Sequence, residues 1–190
     1  MSEFLHEPSE WEKEIINKYP LIYKEPNENL RDWYNEEKYK KLITDPNFCN
    51  LRYGFEFHKG WANLVDKFSN IAQSLVLHLR QEVQPNAYIK ACIFKEKFGT
   101  LCWQGDNNLI SPFSELFRAY VAQIEKESQI TCEETGARGT LCRPNGTTGG
   151  GWVRTLSKEM CIQSGYIPTN ENMAKQWGII PAQPKNSKII

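Results

Sequence analysis

The segment Thr131-Cys-Glu-Glu-Thr-Gly136, followed by Gly149-Gly-Gly-Trp-Val-Arg-Thr-Leu-Ser157, has the two-armed spacing of a zinc-ribbon knuckle stripped of most of its ligands. A structural Zn²⁺ takes four nitrogen or sulfur donors in a tetrahedral array, offered as two closely spaced pairs. Here the place three residues after Cys132 holds Thr135, and the second arm offers Ser157 and Met160. A hydroxyl and a thioether replace thiolate and imidazole poorly. The knuckle is therefore expected to stand without a metal, by packing and by Thr135 and Ser157 hydroxyls bonding the backbone. Cys132, Cys142 and Cys161 could still converge on an ion with His58 or Cys49 as a fourth ligand, but buried thiols are the simpler expectation.

No apolar run approaches the ~18–20 residues of a membrane span. The opening Met1-Ser-Glu-Phe-Leu-His-Glu-Pro8 is too polar for a signal peptide, so a cytoplasmic protein is expected, with its six cysteines reduced. The net charge is zero, but residues 1–50 carry 11 acids against 7 bases and the remainder 12 against 16. An imbalance so small does not announce a nucleic-acid binder, and nucleic acid is not expected as a partner.

Residues 1–50 read as a helical arm. Ser9 and Glu12 form a capping box before Trp11, Ile15 and Ile16, and Tyr19-Pro20 stops the helix. Leu30, Trp33, Tyr34, Leu42 and Ile43 mark a second helix that closes at Asp45-Pro46. The core domain is expected over residues 51–166. It begins with a strand over 51–58, on the alternation of Tyr53, Phe55 and Phe57, and continues with a long helix after Lys59-Gly60. In that helix Trp61, Leu64, Val65, Phe68, Ile71, Ala72, Leu75, Val76 and Leu79 paint one face apolar. A hairpin follows, Ala87 to Lys95 and Thr100 to Gln104, turning through Lys95-Glu-Lys-Phe-Gly99, with a loop at 105–108. Ser111-Pro112 starts a second amphipathic helix running to about Gln129. The knuckle at 131–160 and a short helix capped by Ser157 complete the domain. From 167 to 190 a tail is expected, docked in part through Trp177. The fold class is α+β: a small antiparallel sheet packed by two long amphipathic helices.

Gly60-Trp61, Lys95-Glu-Lys-Phe-Gly99, Cys132 to Gly136 and Gly150-Gly151-Trp152 to Leu156 occur in an order that resembles a family of small uncharacterised proteins of bacteria and their phages. Tyr19-Pro20 looks like the N-terminal landmark of that family. The resemblance covers about residues 51–160. It implies an α+β fold with the knuckle packed on a small sheet, and it implies no activity. Zinc is not carried over, because Thr135, Ser157 and Met160 stand where ligands would be.

No catalytic set is legible. His6, His58 and His78 have no cysteine in a recognisable nucleophile setting, and Asn145-Gly-Thr-Thr-Gly-Gly-Gly151 lacks the lysine of a phosphate loop. The charges of Lys95, Glu96 and Lys97 on a hairpin turn are usually solvated; the alternative is that Glu96 turns inward to bond backbone amides or Arg154 and so fixes the turn. The reading is a non-enzymatic binding protein of phage or mobile-element type, without a cofactor, that engages a host protein or sequesters a small anionic ligand. A homodimer through the arm is plausible. Candidate contact residues are Lys95, Glu96, Lys97, Trp103, Trp152 and Arg154. Two alternatives stand beside it: a nuclease or nucleotide hydrolase using Glu96 with Lys95 or Lys97, and a nucleic-acid-binding module stacking bases on Trp103 and Trp152.

Overall fold

A computed structural model describes residues 8–26, 36–45, 48–51, 53–146 and 151–182. In chain order the elements are α1 (Glu10–Lys18), α2 (Pro20–Tyr23), α3 (Glu36–Ile43), β1 (Phe55–Glu56), a 3-10 turn (Lys59–Trp61) and α4 (Ala62–Glu82). They continue with β2 (Ile89–Lys97), β3 (Thr100–Asn107), α5 (Phe113–Ser128), β4 (Thr140–Pro144), β5 (Arg154–Leu156), α6 (Lys158–Gln163), β6 (Tyr166–Pro168) and α7 (Glu171–Trp177). The fold is α+β, with two three-stranded sheets ordered β1-β2-β3 and β5-β4-β6. No described helix is long and apolar enough to cross a membrane.

The chain divides into two compact units. The first takes in residues 1–56, 65–95 and 102–123, and the second 57–64, 96–101 and 124–190. This division cuts across the sequence boundaries at 50 and 166, because α4 and the β2–β3 hairpin each run through it. Leu30, Trp33 and Tyr34 of the expected second arm helix lie outside the described residues, as do His6 and residues 147–150.

In the first unit the Ser9–Glu12 capping box forms: one Glu12 oxygen accepts from the Ser9 amide at 2.7 Å and the Ser9 hydroxyl at 2.6 Å. The other accepts from the Phe55 amide at 3.1 Å, so a single carboxylate caps α1 and ties it to β1. Tyr19-Pro20 ends α1, but the chain resumes at once as α2, with Pro20 at a first-turn position where its missing N–H costs nothing. Arm and α4 are joined by Tyr19 Oη donating to Asp66 at 2.9 Å, by Tyr23 and Ser69 hydroxyls 2.6 Å apart, and by a two-pronged Arg80–Glu25 pair at 2.8 and 2.7 Å.

The expected apolar face of α4 is buried at Val65, Phe68, Ala72, Val76 and Leu79, whereas Ile71, expected on it, is 40% exposed. Phe68 meets Phe94 of β2, Trp103 of β3 and Phe117 of α5, at centroid distances of 5.1, 5.5 and 5.8 Å. Aromatic contacts, edge-to-face at Phe68–Phe94 and Trp103–Phe117, thus pack both long helices on the first sheet. The strand expected over 51–58 shrinks to Phe55–Glu56: of the three alternating aromatics only Phe55 is buried, and it pairs in parallel register with Phe94. The loop expected at 105–108 is instead strand as far as Asn107, because pairing with β2 overrides the local turn preference of Gly-Asp-Asn.

In the second unit β4 is central, antiparallel to β5 (Cys142 opposite Arg154) and to β6 (Cys142 opposite Pro168). The expected tail therefore supplies a strand, β6, with Ile167 buried, followed by α7 capped through Asn170 Oδ1 at 3.0 and 3.1 Å. Cys132, Cys142, Leu156 and Cys161 form the core of this unit, with Met160, Tyr166, Trp177 and Ile179 packed around it.

Candidate functional site

The knuckle is built by backbone contacts before any side chain acts. The Cys132 amide donates to Ala137 O at 2.7 Å, Gly136 N to Cys132 O at 2.8 Å, and Glu133 N to Thr155 O of β5 at 3.0 Å. Thr135 Oγ1 accepts from Ala137 N at 3.3 Å, and Ser157 Oγ accepts from Met160 N at 3.3 Å. These are the two hydroxyl contacts expected where metal ligands are missing. The three knuckle thiols lie in the core behind them, and none of the six cysteines is in a disulfide. A hydrogen bond with Cys161, and then burial, push the Cys142 thiol up, which keeps it protonated.

A charged cluster belongs to the same knuckle. Glu133 follows Cys132, and its side chain is only 2% exposed. The Arg154 guanidinium from β5 pairs with Oε1 of Glu133 and, at 2.5 Å, with Oε1 of Glu134. The turn before α4 brings in the third member. Gly60 N donates to Glu133 O at 2.8 Å and Trp61 Nε1 to Thr131 O at 2.7 Å, which places His58 Nδ1 3.3 Å from Glu134 Oε2. Donor atoms of His58, Glu133 and Glu134 all lie within 4.8 Å of one another.

Glu133 is an acid in an awkward place. Burial pushes its carboxyl up to about 7, against the pull of Arg154, and repulsion from Glu96 and Glu134 adds to the rise. Its Oε2 is buried and has no hydrogen-bond partner. The same holds for Glu96 Oε2, while Glu96 Oε1 accepts from the Gly99 amide at 2.5 Å. Glu96 thus turns inward to fix the hairpin, the alternative to a solvated side chain.

The candidate residues scatter. Glu96, Lys97, Trp152 and Arg154 fall in the second unit, Lys95 and Trp103 in the first. Lys95 stands opposite Glu56 in the β1–β2 register. Trp103 is not a stacking platform: its ring lies against Phe68 at 5.5 Å and Phe117 at 5.5 Å. Arg154 is committed to two carboxylates. Lys97 is exposed beside the turn. Trp152 is 65% exposed.

Sequence reasoning passes over Phe98, Glu133 and Glu134, and sets His58 only as a possible fourth metal ligand beside Cys132, Cys142 and Cys161. The available signal was an acidic pair lodged inside a knuckle where ligands were missing. The hairpin turn is tighter than the five residues expected: β2 runs to Lys97 and β3 starts at Thr100, leaving Phe98 and Gly99 at φ of +53 and +76. Thr155 Oγ1 donates to Gly99 O at 2.6 Å, and a methyl group added at Gly99 would come within 2.3 Å of Leu141 Cδ1, so the tip is pressed against β4 and β5. Comparison with protein-family models, curated proteins and solved structures finds no match to this chain.

Proposed function

We propose that this is a non-enzymatic binding protein, of the phage or mobile-element type that the motif resemblance implies, and that it engages a host protein through apolar side chains of the second unit. Phe98 supports this most directly. A bulky residue in the left-handed region costs about 1–2 kcal/mol, and Asn or Gly fills such a turn at little cost. Burial does not compensate, since Phe98 is 73% exposed. Strain held at an exposed aromatic is a mark of contact function. Trp152, two residues before Arg154 on the strand that clamps the hairpin tip, offers a second aromatic anchor of the type that dominates protein interfaces. Arg154 is already paired with Glu133 and Glu134, which favours a protein partner over a small anion at this place.

Immobilised full-length protein is expected to capture one host protein in stoichiometric amount. Phe98→Asn and Trp152→Ala, each confirmed folded, should abolish that capture. Equal capture by wild type and both variants would remove the proposal. Apolar contact should also persist between roughly 50 and 300 mM salt, whereas a nucleic-acid complex would weaken steeply.

The hydrolase alternative draws on one observation, a buried carboxyl pushed to about 7 beside a second carboxylate, as general acids and bases require. It moves the reacting carboxylate from Glu96, with Lys95 or Lys97, to Glu133. Nucleotide or nucleic-acid hydrolysis that survives Glu133→Gln would dismiss it.

A further inference from the structure

The two oxygens of each carboxylate in the knuckle have different company. Arg154 takes Oε1 of Glu133 and Oε1 of Glu134. That leaves Oε2 of Glu134, which faces His58 Nδ1 at 3.3 Å, and Oε2 of Glu133, which is buried without a donor. An acceptor left unpaired inside a protein costs about 1–3 kcal/mol. Hydrogen bonds within the cluster do not relieve it, because the one guanidinium present is spent on the other oxygens.

From this geometry we propose that His58, Glu133 and Glu134, offering one donor atom each within 4.8 Å of one another, bind a divalent transition-metal cation, with Arg154 as the positioning residue that holds both carboxylates. One imidazole nitrogen and two carboxylate oxygens are a donor set suited to borderline divalent ions such as Mn²⁺ or Zn²⁺. Three protein ligands leave coordination positions for water or for an exogenous group, as in open rather than structural sites. The cation would supply the electrostatic partner that Glu133 Oε2 lacks. The site is separate from the thiol cluster of Cys132, Cys142 and Cys161, whose sulfurs would select softer ions. It is also independent of the proposed protein contact through Phe98 and Trp152.

Mn²⁺ is the discriminating probe, because it prefers oxygen and nitrogen over thiolate. Titrating MnCl₂ into chelator-treated full-length protein, with unbound Mn²⁺ followed by electron paramagnetic resonance, should show one ion per chain. His58→Ala and Glu134→Gln should each lower the affinity at least tenfold. His58 is 57% exposed, so its replacement leaves the fold intact, and thermal unfolding of that variant checks this. Glu159→Gln, which removes an acid from α6 instead, should bind as wild type. Absence of stoichiometric Mn²⁺ binding, or equal affinity in His58→Ala, overturns the site. Binding that disappears on thiol alkylation but survives His58→Ala would assign the ion to the cysteines and overturn it equally.

Discussion

The Gly60 amide donates a 2.8 Å hydrogen bond to the Glu133 carbonyl, and the contact is so close that a methyl group on Gly60 would lie 2.4 Å from Cys132 O and 2.5 Å from Glu133 O. Backbone meets backbone here with no side chain between. The Gly60-Trp61 pair and the Cys132–Gly136 knuckle, distant in sequence, are two halves of one joint.

Gly60→Ala is therefore expected to destabilise the protein by about 1–3 kcal/mol or more, the usual cost of forcing extra volume into a closed contact. Neither neighbour is the flexible end of a side chain, so relief requires the knuckle to move. Urea unfolding measures it. A stability within 0.5 kcal/mol of wild type, roughly the range of surface changes, would show that the joint is looser than described.

Glu133 should leave a signature in the pH dependence of stability. Its carboxyl stays protonated in the folded chain until about pH 7, whereas in the unfolded chain it ionises near the ordinary value of 4.5. Between these values the unfolded state binds fewer protons, so the stability contributed by the neutral carboxyl falls as pH rises through this window and levels off on either side. Glu133→Gln removes the titration. In chelator-containing buffer, the stability difference between wild type and Glu133→Gln should shift against wild type from pH 4.5 to 7. Parallel profiles for the two proteins would contradict the burial of this group.

Phe98→Asn should raise stability, by up to about 1–2 kcal/mol, because Asn accepts the left-handed conformation that Phe98 is forced into. A gain in melting temperature together with loss of partner capture separates strain kept for function from strain without consequence. A variant that melts below wild type would mean that the Phe98 ring contributes more to the fold than its exposure indicates.

Thiol labelling should sort the cysteines by depth. Cys132, Cys142 and Cys161 are fully buried, and burial pushes the Cys49 thiol up to about 12. Burial keeps these four from the reagent, so they should react at the rate of unfolding. Cys92 and Cys102 are half-buried and are expected to react first. Rapid modification of four or more thiols in native protein, a count that follows from this burial pattern, would disprove the closed thiol core.

What the sequence determined by itself was periodic or locally capped. The capping box at Ser9 and Glu12, the apolar stripe of α4 and the helix after Ser111-Pro112 depend on residues within a few positions of one another, where spacing is geometry. The same holds for Thr135 and Ser157 as backbone anchors. Tertiary structure alone decided the rest. β3 extends through Gly105-Asp-Asn because a paired strand outweighs a turn preference, and the supposed tail becomes β6 because β4 had an open edge. The cluster of His58, Glu133, Glu134 and Arg154 draws on three segments up to 96 residues apart. Its charge state is set by burial, which no local pattern encodes.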